Sequence, residues 1–105
     1  MHAFLRESFS PTRAGDLETD IELRFPTHSA FCSIRNGELL FPQINEAALV
    51  IYFDSAEHAQ RLFSGIDNVV EAFMNGQLRS NGHLIWVFQT FAAFSKTAQT
   101  ASAET

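Results

Sequence analysis

Few residues in this sequence have the types and spacing that catalysis or metal binding requires. The single cysteine, Cys32, could act as a nucleophile only beside a base such as His28 or His58. It lies in a strand-like pattern, where a lone cysteine is more often a small core residue. The four histidines, which include His2 and His83, show no His-x-x-x-His or Cys-x-x-Cys spacing. We therefore expect no catalytic residue, no metal site and no cofactor.

The glycines and carboxylates are better explained by structure than by chemistry. Gly65, Gly76 and Gly82 are too far apart for a phosphate-binding loop and suit helix ends or a turn. The acidic residues of the second half fall at expected helix caps and exposed helix positions rather than as an acid–base pair. These are Asp54, Glu57, Asp67 and Glu71. The remaining chemistry is the binding of apolar groups.

The composition of the chain also favours the binding of apolar groups. The formal net charge is -5, Lys96 is the single lysine, and the arginines are scattered, which argues against nucleic acid and against anionic membrane surfaces. Apolar residues make up 46% of the chain and 11 of them are Phe, so large apolar surfaces must be placed somewhere. One cysteine, no signal peptide and no apolar run of about 18 residues predict a cytoplasmic protein.

Alternation and turn residues predict a sheet in the first half. At 105 residues the chain should form a single domain over residues 1–96, with a disordered tail over 97–105. We predict a short helix over Met1–Phe9, a loop over Thr12–Asp20, and strands over Ile21–Phe25, Ala30–Arg35, Glu38–Phe41 and Ala47–Phe53. Asn36-Gly37 is typical of a type I′ hairpin turn, and the continuous apolarity of the last strand predicts an interior position.

Three helices and a short extended segment are predicted in the second half. Asp54 should cap the first, which ends near Ser64, and Asp67 the second. The predicted buried side of the second helix is Ile66, Val69, Val70, Phe73 and Met74. Gln77–Ser80 should be extended. The third helix, about His83–Lys96, has a predicted buried face of Leu84, Ile85, Val87, Phe88, Phe91, Ala92 and Phe94. Its predicted polar side is Gln89, Thr90 and Lys96, together with Trp86.

The order of these segments resembles the sterol carrier protein type two family of lipid-binding domains. The matching pieces are AALVIYF, DSAEHAQRLFSG, VVEAFMNG, GQLRSNG and HLIWVFQTFAAF, which run from Ala47 to Phe94 without interruption. The resemblance implies an α/β (α+β) fold, with a curved, mostly antiparallel sheet of about five strands, three to four covering helices and an apolar cavity. It also implies a protein that is not an enzyme by itself.

The family's function would be the binding or carriage of a fatty acid, sterol or isoprenoid-type lipid in an internal tunnel. Two departures stand out. The first half is short and lacks a tryptophan-bearing strand, and Gln77, Arg79, Ser80 and Asn81 replace a lysine-rich stretch. The second departure weakens the case for an anionic head group such as a coenzyme A ester.

Ten residues are candidates for contacting the ligand. They are Phe63, Ile66, Val70, Phe73, Met74, Leu78, Ile85, Trp86, Phe88 and Phe91. The competing interpretation is that the same side chains fill a solid core, since pockets and cores use the same residue types. Trp86 could be the lip of a pocket, a contact in a homodimer, or an isolated surface aromatic. The alternative function is a protein interaction or accessory module with a filled cavity, which could also form a homodimer.

Overall fold

The computed structural model describes residues 1–82 and 84–95. In chain order the elements are α1 (His2–Ser8), α2 (Pro11–Ala14), β1 (Thr19–Arg24), β2 (Ser29–Arg35), β3 (Glu38–Leu40), β4 (Leu49–Phe53), α3 (Ala56–Phe63), α4 (Val69–Met74), β5 (Leu78–Ser80) and α5 (Leu84–Ala93). No helix in these ranges has both the length and the apolarity needed to cross a membrane. The predictions for His83, Lys96 and the tail lie outside the described residues.

The strands form one mixed sheet in the order β3-β2-β1-β4-β5. Three neighbouring pairs are antiparallel, and β1 and β4 are parallel. This confirms the predicted α+β fold with a mostly antiparallel sheet of about five strands. β4 lies between β1 and β5, so its predicted interior position is also confirmed.

Two polar residues fix the strand connections. Asn36 and Gly37 have φ angles of 53° and 74°, which is the left-handed pair that a type I′ turn requires. Asn81 continues the pairing of β5 with β4 through its side chain. Its Oδ1 accepts a hydrogen bond from the Val50 N–H at 2.7 Å, and its backbone N–H donates to the Val50 carbonyl at 3.2 Å. Asn81 therefore satisfies two backbone groups of an interior strand.

The sheet has one apolar face and one polar face. Alternate residues of each strand point into the core, where Ile21, Cys32, Leu49 and Leu78 are fully buried. The opposite face carries ion pairs, such as Arg24 with Glu22, whose Nε and Oε2 atoms lie 2.8 Å apart. Since helix and strand side chains share one buried cluster, the helices pack on the apolar face.

The N-terminal segment contains a helix that the sequence pattern missed. α1 agrees with the predicted helix, but α2 occupies Pro11–Ala14, where we predicted a loop from Thr12. Ser10 is its N-cap and accepts a hydrogen bond from the Arg13 N–H at 3.4 Å. Pro11 follows at the first helical position, where its missing N–H costs nothing. The proline therefore begins a new helix as well as ending the previous one.

Both predicted helix caps in the second half are wrong by one residue. Ser55, rather than Asp54, caps α3, and its Oγ accepts from the His58 N–H at 3.0 Å. Asn68, rather than Asp67, caps α4, and its Oδ1 accepts from the Glu71 N–H at 2.9 Å. Asp67 instead pairs with Arg61. In each case two adjacent residues could serve as a cap, and the sequence does not distinguish them.

Candidate apolar-ligand site

Phenylalanine rings fill the space between the sheet and the helices. The ring centroid of Phe63 lies 4.6 Å from that of Phe91, 5.5 Å from Phe94 and 5.9 Å from Phe53. All four side chains are buried. We call these residues the ring cluster. Its spacings are those of favourable aromatic pairs, so in this conformation the rings occupy the interior where a ligand chain would have to lie.

The ten predicted ligand residues are divided between this interior and the surface. Phe63, Leu78 and Phe91 are buried in the core, and Phe73 is partly buried against it. The other six are exposed: Ile66, Val70, Met74, Ile85, Trp86 and Phe88. The structure therefore does not bring the ten residues together around one enclosed space. Their role in ligand binding stays a prediction.

The predicted buried side of α4 is partly wrong. Ala72 is its buried residue, and Val69 and Phe73 pack against the core. Val70 is 54% exposed and Met74 is 82% exposed, because the three packed positions define the opposite side of the helix. Ile66, which precedes the helix, is 67% exposed. We call Ile66, Val70 and Met74 the α4 stripe.

The predicted buried face of α5 is also partly wrong. Val87, Phe91, Ala93 and Phe94 are buried as a core face, whereas Leu84, Ile85 and Phe88 are exposed. These three residues lie one helical turn or less apart on the outward side, and we call them the α5 stripe. Because α5 is apolar on most of its circumference, hydrophobic periodicity could not indicate which side faces the core.

The polar side of α5 also departs from the prediction. Thr90, predicted to be exposed, is fully buried, and its Oγ1 donates to the Trp86 carbonyl at 2.8 Å. That internal hydrogen bond satisfies the hydroxyl and allows its burial. Trp86 itself is 43% exposed, on the same side as Gln89. Both line an open pocket of about 470 Å³ beside the α2–β1 connection.

A second open pocket, of about 510 Å³, lies where α3 meets α4. We call it the junction pocket. Its polar lining residues are His58, Asp67, Asn68, Glu71, Asn75 and Gln77, and Ile66 of the α4 stripe also lines it. Arg61 holds one side of this junction in place. Its Nε and Nη2 donate to the two carboxylate oxygens of Asp67 at 2.9 and 3.0 Å.

The interactions of the charged groups indicate that their roles are structural. The hydrogen bonds from Arg61 lower the pKa of Asp67, and those from Arg24 lower the pKa of Glu22. Burial raises the pKa of Cys32 to about 12, so its thiol is protonated at neutral pH and is a poor nucleophile. Among the described residues, no three His, Cys, Asp or Glu side chains form a metal-binding group.

Sequence reasoning missed the polar residues that shape the junction pocket. The sequence pattern gave no binding role to Asn68 or Asn75, and it placed Gln77 in an extended segment. A signal was present in Asn68 and Asn75, the amides at the two ends of α4, whose spacing of two helical turns places them on one side of it. No periodicity rule, however, predicts that α3 and α4 leave a gap there, because that depends on how both helices pack on the sheet.

Solved structures share this fold at low sequence identity. A sec-alkylsulfatase from a Pseudomonas species matches with a TM-score of 0.70 and 12% identity, over 87% of this chain and 15% of the sulfatase. A structure of sterol carrier protein 2 matches with a TM-score of 0.60 and 17% identity, over 98% of this chain and 92% of that one. The chain has the sterol carrier protein 2 fold.

A third structure adds to this likeness. The ubiquinone synthesis protein UbiJ, described as a sterol carrier protein 2 domain, matches with a TM-score of 0.62 and 18% identity, over 94% of this chain and 84% of that protein. No family model matches the sequence, and no curated protein is significantly similar to it. Identities this low establish the fold and leave the function to be argued from the site.

Proposed function

We propose that this protein binds and carries an apolar ligand, a fatty acid, sterol or isoprenoid-type lipid, without catalysing a reaction on it. The observation that carries the proposal is the exposure of the α4 and α5 stripes. Side chains such as Met74, at 82% exposure, and Ile85, at 69%, add nothing to a core and lie open to water. Each methylene group that leaves water when a lipid binds to such a surface contributes about 0.8 kcal/mol to the free energy of binding.

The structural neighbours support this class of function. One is named a sterol carrier protein and another a ubiquinone synthesis protein, which is why an isoprenoid-type lipid is among the candidates. The sulfatase supplies no argument for an enzyme here, because the chain spans 15% of its length. A single cysteine that is buried and protonated suits a reducing compartment such as the cytoplasm.

Two positions for the ligand make different predictions. A ligand in an internal tunnel would contact Phe63 and Phe91 and would require the ring cluster to open. A ligand on the outside would contact an exposed stripe, through Met74 of α4 or Ile85 of α5, and leave the cluster intact. We propose the outer position, since it needs no loss of aromatic packing.

The test uses Nile red, an uncharged fluorescent apolar probe, and lipid extraction followed by mass spectrometry. Met74→Asp and Ile85→Asp place a carboxylate on the α4 and α5 stripes respectively. The variant of the stripe that holds the ligand should weaken probe binding about tenfold, because the new carboxylate would have to be desolvated beside an apolar ligand. Gln60→Asp, on the exposed side of α3, is the control and should bind normally. If no lipid is extracted and the probe does not bind, the function is wrong. If binding is tight and both variants are unaffected, the ligand lies inside.

Self-association is the second candidate, and the α5 stripe favours it. Two copies could pack their α5 helices together across Leu84, Ile85 and Phe88. A stable interface, however, uses roughly 20 to 30 residues on each side, and one stripe supplies far fewer. We therefore expect at most a weak homodimer. Light scattering on wild type and Ile85→Asp tests this, since a concentrated wild-type dimer that the variant abolishes would support the interaction module.

A further inference from the structure

We propose that the junction pocket binds the uncharged, hydroxyl-bearing head group of a lipid whose hydrocarbon chain follows the α4 stripe. This inference rests on the proposed function and names the chemical class of its ligand. A glycerol-like or sugar-like head group is the type we mean. Three features of the pocket support it: the polar lining, the charge of that lining and the position of Ile66.

The lining of the junction pocket matches hydroxyl groups. Asn68, Asn75 and Gln77 contribute amides, which both donate and accept hydrogen bonds. Asn68 Oδ1 already accepts from the Glu71 N–H, so the Asn68 amide nitrogen is the atom that can donate to a ligand. Each hydroxyl of a polyol also donates and accepts. Several such groups can therefore be satisfied together in a pocket of about 510 Å³.

The charges of the pocket disfavour an anionic head group. Two carboxylates, Asp67 and Glu71, line it. The neighbouring guanidinium of Arg61 makes two hydrogen bonds to Asp67, which neutralises that carboxylate rather than leaving a cation for a ligand. A carboxylate or phosphate ligand would therefore meet Glu71. The lining residue that can become cationic, His58, has its Nε2 atom 3.6 Å from Asp67 Oδ2, so it too faces a carboxylate of the protein. An uncharged head group avoids this repulsion.

Ile66 connects the polar pocket with the apolar surface. It lines the junction pocket and is 67% exposed. Val70 and Met74 follow it at intervals of four residues, and within α4 these two lie one turn apart on the same side. Ile66 is therefore the exposed apolar residue in the lining of the pocket, and Val70 and Met74 are the next exposed apolar residues along the chain. The polar and apolar parts of an amphipathic lipid both find matching surfaces.

The experiment compares three ligands with the same hydrocarbon chain, monolauroylglycerol, dodecanol and dodecanoate, as competitors of Nile red below their aggregation concentrations. We expect monolauroylglycerol to compete about tenfold more strongly than dodecanoate, with dodecanol between them. Equal competition by all three, or preference for dodecanoate, would overturn the inference while the proposed function stands. Failure of all three to compete with a bound probe would also overturn it. Failure of the probe itself to bind would overturn the proposed function.

A matched pair of substitutions tests whether the preference for monolauroylglycerol arises in the junction pocket. Gln77→Leu removes an amide from the lining of the junction pocket. Gln60→Leu removes an exposed amide of α3 that does not line the pocket. Gln77→Leu should reduce the preference for monolauroylglycerol over dodecanol about fivefold. Dodecanol binding should stay the same, which separates loss of a head-group contact from loss of folding. Gln60→Leu should keep the full preference. An unchanged preference in Gln77→Leu would place the head group elsewhere.

Discussion

Two helices of the same protein, α3 and α5, have outward sides of opposite character, polar in α3 and apolar in α5. α3 packs Ala59, Leu62 and Phe63 inward and presents charged and polar residues, among them Glu57 and Arg61, to water. α5 packs an inward face that is just as apolar and presents the α5 stripe on the other side. Packing and solubility explain all of α3. They explain only the inward face of α5. The exposed apolar residues on its other side are the reason to assign α5 a binding function.

The first prediction compares the two sides of α5 with the same substitution. Phe91→Ala removes a member of the ring cluster that is 7% exposed, and it should lower the free energy of unfolding by about 3–5 kcal/mol. Phe88→Ala removes the same ring from the α5 stripe, where it is 37% exposed, and should cost about 1–2 kcal/mol, because part of the ring is still covered. Urea denaturation measures both values. Similar losses in the two variants would mean that the stripe belongs to the core.

The contrast between the helices also explains what could be predicted from sequence. In α3 the apolar residues Ala56, Ala59, Leu62 and Phe63 share one side of the helix beside charged residues, and this pattern alone indicates the side that packs on the core. In α5 the residues Leu84, Ile85 and Phe88 look the same as Val87 and Phe91, so a period of 3.6 does not separate the buried from the exposed side. The hairpin and the interior position of β4 followed from local turn residues and continuous apolarity. The junction pocket did not, because it depends on how two helices pack on one sheet.

The second prediction concerns the residue that begins α3. Ser55→Ala removes the hydroxyl that accepts from the His58 N–H and should lower the free energy of unfolding by about 1 kcal/mol. Asp54→Ala is the matched control, since Asp54 is exposed and is not the N-cap, and its effect should stay within about 0.5 kcal/mol. Thermal or urea denaturation distinguishes them. A larger loss in Asp54→Ala would show that the aspartate caps the helix in solution.

The third prediction concerns the ion pair between Arg61 of α3 and Asp67, which precedes α4. Its expected effect on stability is the smallest of the three, because both side chains are partly exposed to solvent. The pKa of Asp67 is lowered by Arg61, so its carboxylate is easier to ionise in the folded protein than in the unfolded chain. The resulting stability is present above the ordinary pKa of 3.8 and is lost as the pH falls below it. Asp67→Asn should therefore lower the urea midpoint at neutral pH, and the gap from wild type should close on acidification.

A double-mutant cycle tests whether that effect comes from the pair itself. Once Asp67→Asn is in place, Arg61→Gln should have little further effect, whereas fully additive losses would mean that the two residues act separately. High salt should weaken the coupling, since the pair is exposed. A positive result would show that the outward side of α3 contributes to the fold and to the shape of the junction pocket. The outward residues of α5 would then differ in kind, because replacing Ile85, which is 69% exposed, should leave the free energy of unfolding almost unchanged.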